Sequence, residues 1–314
     1  MNSSICLAPR FYLASCAVMG ALLTHNTYAA EGGGSAYPSG VNTVVSGKLP
    51  PPGFTSFVYM SNYQADKTMG NDGKEKSTIH NFDLNVKAVS LRMDYVYSDY
   101  SLLGATLASR LVLPFVDGKV SYEIDTPRGR VRRSDSQAGL GDVTVVPLML
   151  GWASPRISQI VGVDVFAPAG SYDKDRLFNP GRNTWAFAPW YGVTFYPIEK
   201  LELSSKVLYI INQKNDATDY QSGNEFNIDY NIGYNFTKLF QAGISGYAYK
   251  QVTGDEQQGT SVNGNGNKGQ VFAIGPSVKY QTPVWGVVVK WQHETLVKNR
   301  AEGDRFWLQG TIRF

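Results

Sequence analysis

Apolar and polar residues alternate with a period of two along most of the chain after residue 53. In the clearest stretch the apolar positions are Phe226, Ile228, Tyr230, Ile232, Tyr234 and Phe236. The positions between them hold only Asn, Asp and Gly. Since successive side chains of a β-strand point to opposite faces, the pattern predicts a strand with one face suited to lipid and the other to water.

Turn signals divide the chain into twelve such candidate strands. Their ranges are 54–66, 80–97, 102–116, 137–153, 158–168, 184–197, 201–213, 224–236, 240–253, 269–281, 285–298 and 304–314. Short connections alternate with longer polar or Gly-rich ones, as in 198–200 and 214–223. Outer-membrane barrels have an even strand number, short periplasmic turns and longer external loops. The sequence therefore predicts an all-β fold over 54–314, a transmembrane antiparallel up-and-down β-barrel of the bacterial outer-membrane type.

Two stretches depart from the simple pattern. Within 82–97 the polar positions change phase between Lys87 and Arg92. An extra residue in one strand would cause such a change, so we expect a β-bulge near 88–90. Residues 117–136 are expected to form a long loop, although the strand before them could continue as far as Glu123.

The first thirty residues have the pattern of a secretory signal peptide. Arg10 precedes an apolar run over 11–23, and small residues at Thr27 and Ala29 form a cleavage site. We therefore expect a signal peptide over 1–29, with the cut after Ala29. Both cysteines of the chain would be removed with it.

Composition narrows the classes of function. The formal charge is +3 and only 18% of residues are charged, so we expect no nucleic-acid partner. With 3 His and 2 Cys in the whole chain, neither a metal site nor a cofactor is expected. No mature segment has the 18 or more apolar residues of a membrane helix.

Residues 30–53 precede the first strand and are rich in Gly and Pro. The run of prolines over 50–52 cannot join a strand ladder and stiffens the chain. Two interpretations stay open: a periplasmic tail, or a plug folded into the barrel lumen.

The final strand alternates as well, and the chain ends with an aromatic residue on its apolar face, Phe314. A terminal aromatic at this place resembles the insertion signal of bacterial outer-membrane barrels. The resemblance implies the barrel-assembly machinery as a partner during insertion.

Seven dispersed segments resemble one known family. They are 31–40, 48–54, Gly139-Leu-Gly-Asp142, Ala167-Pro-Ala-Gly-Ser-Tyr-Asp-Lys174, Gly181-Arg-Asn183, Ala273-Ile-Gly-Pro-Ser-Val-Lys-Tyr280 and 299–303. Together they resemble the meta-pathway phenol-degradation family of outer-membrane proteins, over essentially the whole mature chain. This resemblance implies a transporter-like barrel in the bacterial outer membrane, linked to the breakdown of aromatic compounds. It implies no catalytic residues, and we expect the protein not to be an enzyme.

The alternation places a set of charges on the water-facing side. Twelve tilted strands give a backbone diameter of roughly 24 Å and a lumen of roughly 12–14 Å at most. Such a lumen admits a monoaromatic acid or a small sugar. We expect a channel for passive uptake of small, aromatic or hydrophobic solutes. The inward charges, predicted to line the pore, are Arg110, Asp142, Asp164, Lys206, Asp229, Lys290 and Glu294. They would either form a mixed-charge constriction that selects solutes or pair across strands and fill the barrel.

Inward aromatic residues could stack on such a solute, and the candidates are Trp190, Tyr247 and Tyr249. Outside the barrel, the arginines over 128–133 could bind lipopolysaccharide phosphates, or be neutralised by neighbouring carboxylates.

Two other classes of function stay open. One is a structural or adhesion-type barrel without transport. The other is a lipid-modifying enzyme, but His293 would face outward and no acyl-transfer motif surrounds any serine.

Overall fold

The computed structural model describes residues 34–313. The predicted signal peptide with its cleavage site, the beginning of the Gly/Pro-rich segment and Phe314 lie outside the described residues. Within 34–313, no helix is long and apolar enough to cross a membrane.

Nearly all of the described chain after residue 52 is β-structure. The strands are β1 (Gly53–Thr68), β2 (Ile79–Leu102), β3 (Ala105–Thr126), β4 (Gly129–Leu140), β5 (Val143–Ala153), β6 (Ile157–Ala167), β7 (Ala186–Ile198), β8 (Leu201–Asn212), β9 (Lys214–Asn215), β10 (Tyr220–Gln221), β11 (Glu225–Asn235), β12 (Phe240–Gln251), β13 (Glu256–Gln257), β14 (Thr260–Ser261), β15 (Gln270–Gln281), β16 (Trp285–Lys298) and β17 (Ala301–Arg313).

Thirteen of these strands form one antiparallel sheet, in which strands that follow one another along the chain pair, except that β4 and β5 both pair with β3. The sheet closes on itself, because β1 pairs with both β2 and β17, and β2 also pairs with β3. β4 and β5 pair one after the other with β3 and are separated only by Gly141 and Asp142. If β4 and β5 are counted as one strand, the barrel has twelve strands. The predicted twelve-stranded up-and-down barrel is therefore confirmed.

The outer surface of the barrel is apolar at mid-height. Large apolar side chains exposed there include Val58, Val89, Val163, Ile244, Ile274 and Leu308. Aromatic pairs lie towards both ends, with ring centroids 5.5 Å apart for Tyr280 and Trp285 and 6.4 Å apart for Trp185 and Phe187. An apolar band between aromatic girdles is the surface that a lipid bilayer requires.

The connections differ at the two ends of the barrel. One end carries two-residue turns such as 103–104 and 199–200, and we call it the short-turn end. The other, the long-loop end, carries segments such as 168–185. There, β9, β10, β13 and β14 form a small separate sheet over two of the loops.

The bulge expected near 88–90 is not present, and that prediction was wrong. The pairing of β2 with β3 runs without interruption from Asp83 opposite Ser121 to Val96 opposite Ala108. The polar positions change phase because this part of β2 rises above the apolar band of the surface. There the outward side chains, such as Lys87, are exposed to water and the inward ones are apolar.

The long loop expected over 117–136 is also corrected. β3 continues to Thr126 and turns at 127–128 into β4, which pairs with it back to Leu140. The hairpin projects beyond the barrel, and its polar outer positions suit water on that face.

Candidate functional site in the barrel interior

The N-terminal segment contacts the inner wall of the barrel over its described length. Close to the short-turn end, Val45 donates its backbone N–H to Glu202 at 3.0 Å, and Gly47 donates to Thr194 Oγ1 at 3.0 Å. Further along the barrel, the hydroxyl of Ser35 donates a hydrogen bond to Glu225, at the start of β11. Residues 35–47 therefore extend from the short-turn end to the long-loop half of the interior.

Asp229 is the main acceptor for this segment. The hydroxyl of Tyr37 and the backbone N–H of Gly40 each donate to it at 2.7 Å, and the backbone N–H of Asn42 donates at 2.9 Å. The side chain amide of Asn227 adds a fourth hydrogen bond at 2.9 Å. Because Asp229 is 0% exposed, its carboxylate depends on these donors in place of water.

Lys290 on the opposite side of the segment is the matching donor. Its ammonium group donates to the carbonyl oxygens of Gly40 at 2.6 Å and Val41 at 3.0 Å, and to Thr43 Oγ1 at 3.1 Å. All three donors of the ammonium group are used, and Lys290 is 1% exposed. The backbone around Gly40 is thus held between a carboxylate and an ammonium group.

The segment also lies directly against the backbone of β7. A Cβ atom placed on Gly192 would come within 2.4 Å of the carbonyl oxygen of Ser46, and one on Gly47 within 2.4 Å of Thr194 N. Real Cβ atoms do not approach so closely, so this contact requires glycine on both sides.

Several other inward charges form ion pairs within the wall. Asp94 accepts from Arg110 Nε and Arg92 Nε, each at 2.8 Å. Lys206 donates to Asp164 at 2.8 Å and lies 4.4 Å from the ring centre of Trp190. In a buried ion pair, the attraction of the partner is the main interaction that offsets each charge's loss of hydration.

Glu294, in the long-loop half of the interior, accepts hydrogen bonds from two tyrosines. The hydroxyl groups of Tyr63, at 2.7 Å, and Tyr247 both donate to its carboxylate. The backbone N–H of Gly303 donates to it at 3.1 Å.

Asp142, between β4 and β5, accepts from the backbone N–H groups of Gly170 at 3.1 Å and Arg182 at 2.7 Å. It thereby holds the loop over 168–185 against the barrel rim.

A cavity of about 400 Å³ opens between the N-terminal segment and the long-loop end. One wall is apolar and comes from β2, β3 and the loop after β6. Its members are Phe82, Leu84, Val86, Val112, Pro114, Val116, Val120, Leu177 and Phe178. The facing wall is polar and includes Tyr63, Tyr247, Glu294, Arg300 and Arg305.

The charges predicted to line the pore fall into two groups. Arg110, Asp142, Asp164 and Glu294 line the cavity, whereas Lys206, Asp229 and Lys290 are buried below it in ion pairs or against the N-terminal segment. Tyr247 also lines the cavity, while Trp190 and Tyr249 lie buried beside Lys206 and Arg300. Their part in selecting solutes stays a prediction.

Sequence reasoning missed Arg92, Asp94, Arg300 and Arg305. Arg305 could have been found, because it continues the period-two series of Trp307 and Gln309 to the next inward position. Arg92 was noticed only as part of the phase change in β2. Arg300 lies in a turn, where alternation gives no direction.

The remaining candidates lie on the outside. Arg130 pairs with Asp125 at 3.0 Å on the β3–β4 hairpin, where both side chains are half exposed. His293 faces outward and its Nδ1 lies 2.9 Å from Asp304 Oδ1. Among residues 34–313, no group of three or more His, Cys, Asp or Glu could hold a metal ion.

Solved structures with a similar fold include several outer-membrane barrels. The COG4313 outer membrane channel from Pseudomonas putida F1 superposes with a TM-score of 0.74 at 19% identity, over 87% of this chain and 100% of that one. The beta domain of the Bordetella autotransporter BrkA gives 0.48 at 9% identity, over 83% and 100%. The CymD monoaromatic hydrocarbon channel gives 0.42 at 7% identity, over 84% and 89%. The first of these supports the barrel fold.

No curated protein matches the sequence. A family model does: the one described as "Putative MetA-pathway of phenol degradation" matches residues 65–310. That match confirms the family resemblance and spans five of the seven segments, all except 31–40 and 48–54, and the chain belongs to this family.

Proposed function

We propose that the protein is an outer-membrane channel for passive uptake of small solutes with an aromatic or apolar body. The observation that carries this proposal is the cavity of about 400 Å³ inside a twelve-stranded barrel. Its volume lies in the range of sites that bind small organic molecules, and one wall is apolar where a water-filled pore would be polar.

The outer surface supports a place in the outer membrane. An apolar band between aromatic girdles surrounds the barrel. The description of the family to which the chain belongs refers to a pathway of phenol degradation. The channel of Pseudomonas putida F1 has the same barrel fold.

In this proposal the N-terminal segment is a plug. Tyr37, Gly40 and Asn42 are bound to Asp229, and the buried groups around them leave little room for water at mid-height. A solute entering the cavity from the long-loop end meets this segment next. Passage therefore requires the segment to shift, and its hydrogen bonds set how often it does so.

Planar-bilayer recording tests both parts of the proposal. The refolded full-length mature protein is compared with a variant that lacks residues 34–48, which end before β1 begins. We expect short, infrequent openings in the full-length barrel and a steady, larger conductance in the truncated one. Entry of benzyl alcohol and of arabinose into liposomes shows whether the pathway prefers an apolar body.

The alternative is a structural or adhesion-type barrel without transport. If the truncated barrel is folded, as its heat-modifiable mobility on gels would show, and still carries no current, the channel proposal fails and this alternative is the better account. Among residues 34–313, no serine hydroxyl is hydrogen-bonded to the ring of His293, so no nucleophile is paired with this histidine.

A further inference from the structure

We propose that the cavity is a binding site for organic carboxylates with a compact apolar body. The carboxylate would lie at Arg300 and Arg305, and the apolar body against β2 and β3. The inference deepens the proposed function by naming the solute class, and it rests on the cavity being the place where solutes enter.

The apolar wall lies in the barrel interior, where the side chains of outer-membrane barrels are normally polar. Above the apolar band of the surface, the inward positions of β2 and β3 carry large apolar side chains instead of charges. Five of them, Phe82, Leu84, Val86, Val112 and Val116, form the wall together with Phe178 from the loop after β6. Apolar surface that faces a water-accessible cavity favours a ligand with an apolar body.

Two arginines on the facing wall have unused donors. Arg300 lies over the ring of Tyr249 at 4.3 Å, and Arg305 over the ring of Tyr63 at 4.8 Å. Arg300 Nη1 and Arg305 Nε are buried and have no hydrogen-bond acceptor among residues 34–313. No carboxylate within the described chain forms a salt bridge with either guanidinium.

The other interior cations differ from this pair. Arg92 and Arg110 are both bound to Asp94, and Lys206 is bound to Asp164. A buried N–H without an acceptor costs free energy, and a carboxylate is the acceptor that fits a guanidinium best. Arg305 Nη1 donates to the carbonyl oxygen of Ser39 at 3.1 Å. Arg300 and Arg305 thus line the cavity without a salt bridge to any described carboxylate, and a ligand carboxylate would supply that partner.

The acidic groups nearby do not neutralise the site. The residues that line the cavity include five arginines, at 92, 110, 182, 300 and 305, and three acids, at 142, 164 and 294. Adding the direct partners Lys206 and Asp94, and the buried Glu225 that interacts electrostatically with Arg300, gives six cations and five carboxylates. Glu294 accepts from Tyr63, Tyr247 and Gly303, and Glu225 accepts from Ser35 and Asn212. The remaining charge is positive and favours an anion.

Three probes separate the two halves of the site in the full-length protein. Benzoate has an apolar body and a carboxylate, benzyl alcohol lacks the charge, and acetate lacks the body. Binding is measured in detergent by calorimetry, supported by the fluorescence of Trp307 at the cavity wall. We expect benzoate to bind at least about tenfold more tightly than either of the others, as a charge-assisted hydrogen bond implies.

Variants then assign the charge. Arg300→Gln and Arg305→Gln should each weaken benzoate binding by about tenfold and leave benzyl alcohol binding within about twofold. Arg300→Lys and Arg305→Lys should bind benzoate more tightly than the Gln variants and less tightly than the wild-type protein. Arg130→Gln, on the exposed hairpin, is the matched control and should change neither affinity. Folding of every variant is checked by heat-modifiable gel mobility.

The outcomes separate this inference from the channel proposal. Equal affinities for benzoate and benzyl alcohol in the wild-type protein would overturn the carboxylate site without reference to any variant. Folded arginine variants that bind benzoate normally would overturn it as well, even if solutes enter liposomes through the barrel. Benzoate binding that depends on both arginines, in a barrel that passes no solute, would support the site and refute the channel.

Discussion

The ammonium group of Lys290 lies 2.6 Å from the carbonyl oxygen of Gly40, a residue 250 positions earlier in the chain. This contact joins the last part of the barrel wall to the N-terminal segment at its centre. Asp229 binds the backbone N–H of the same glycine from another strand. Two fully buried charges of the interior therefore hold a polypeptide segment. This role is neither of the two that alternation left open, a constriction that selects solutes or ion pairs that fill the barrel.

Removing the lysine should loosen the N-terminal segment. In Lys290→Met, the carbonyl oxygens of Gly40 and Val41 lose their donor, so we expect unfolding to become easier by about 1–3 kcal/mol. The open fraction in single-channel recordings should rise. Lys250→Met, which changes an exposed lysine at the end of β12, is the control. An open fraction equal to that of the wild-type protein would show that Lys290 does not restrain the segment.

The close approach at β7 offers a steric test of the same point. Gly192→Val places a side chain where the carbonyl oxygen of Ser46 now lies, so the segment must move away from the wall. We expect larger conductance and faster proteolysis of residues 34–52 in the refolded barrel. Gly310→Val is the matched control, because the nearest atom to its new Cβ is 4.0 Å away. If both variants behave alike, the contact at Gly192 is not what positions the segment.

Ion selectivity should depend on the central lysines. Lys206→Ala combined with Lys290→Ala leaves Asp164 and Asp229 without their cations in a poorly hydrated interior, where a charge has a stronger effect than in bulk water. We expect a shift of preference towards cations and slower entry of anionic aromatic compounds. Reversal potentials in a salt gradient measure the shift, and Lys214→Ala on an exposed loop serves as the control. Unchanged selectivity would mean that both lysines serve only the structure.

The Asp94 carboxylate is expected to matter for stability. Asp94→Asn would leave Arg92 and Arg110 buried without a negative partner, a change that costs about 3–5 kcal/mol. Guanidinium titration followed by tryptophan fluorescence measures it. Asp83→Asn, on the exposed outward face of β2, should stay within about 0.5 kcal/mol of the wild type. A similarly small effect at Asp94 would contradict this assignment.

Acid should release the loop that forms part of the apolar wall. Partial burial raises the pKa of Asp135, but hydrogen bonds from Phe178, Gln137, Ser136 and Leu177 outweigh it, so the pKa lies below its ordinary value. A lowered pKa means that the carboxylate stabilises the docked loop at neutral pH and that this contribution is lost as the pH falls through the acidic range.

The measurement for this loop is hydrogen exchange of the backbone amides of Leu177 and Phe178. Asp135→Asn should lower their protection, corrected for the intrinsic exchange rate, at pH 7 and remove the further loss of protection in acid. Glu123→Gln, a partly exposed carboxylate on the same hairpin, should leave this protection unchanged. Protection that is the same in wild type and Asp135→Asn would refute the role of this carboxylate.

Much of the barrel could be predicted from the sequence because its signal is local. The alternation over 226–236 reappears as β11, whose even-numbered side chains face outward and whose odd-numbered ones face the interior. Six of the seven predicted charges lie buried on strands, as expected if a bare charge on the lipid face costs about 2–4 kcal/mol, whereas Asp142 lies half-buried between β4 and β5. Their part in a pore stays a prediction. Strand number and antiparallel order follow from the spacing of the turns.

The alternation of polar and apolar residues did not predict the direction of side chains where the environment of a strand changes along its length. In β2, Asp83 and Lys87 face water outside the barrel, whereas Arg92 and Asp94 face its interior. The sequence shows only that polarity changes phase. Which face is wet depends on the height at which the strand leaves the membrane.

A closed twelve-stranded barrel with a charged interior could thus be predicted strand by strand, because a period of two and the cost of charge in lipid act on each strand separately. The partners of those charges are visible only in the folded barrel. Lys290 meets Gly40, and Arg300 and Arg305 are left with unused donors beside an apolar wall. Such contacts join residues far apart in the chain, and they depend on how the closed barrel brings its strands around the N-terminal segment.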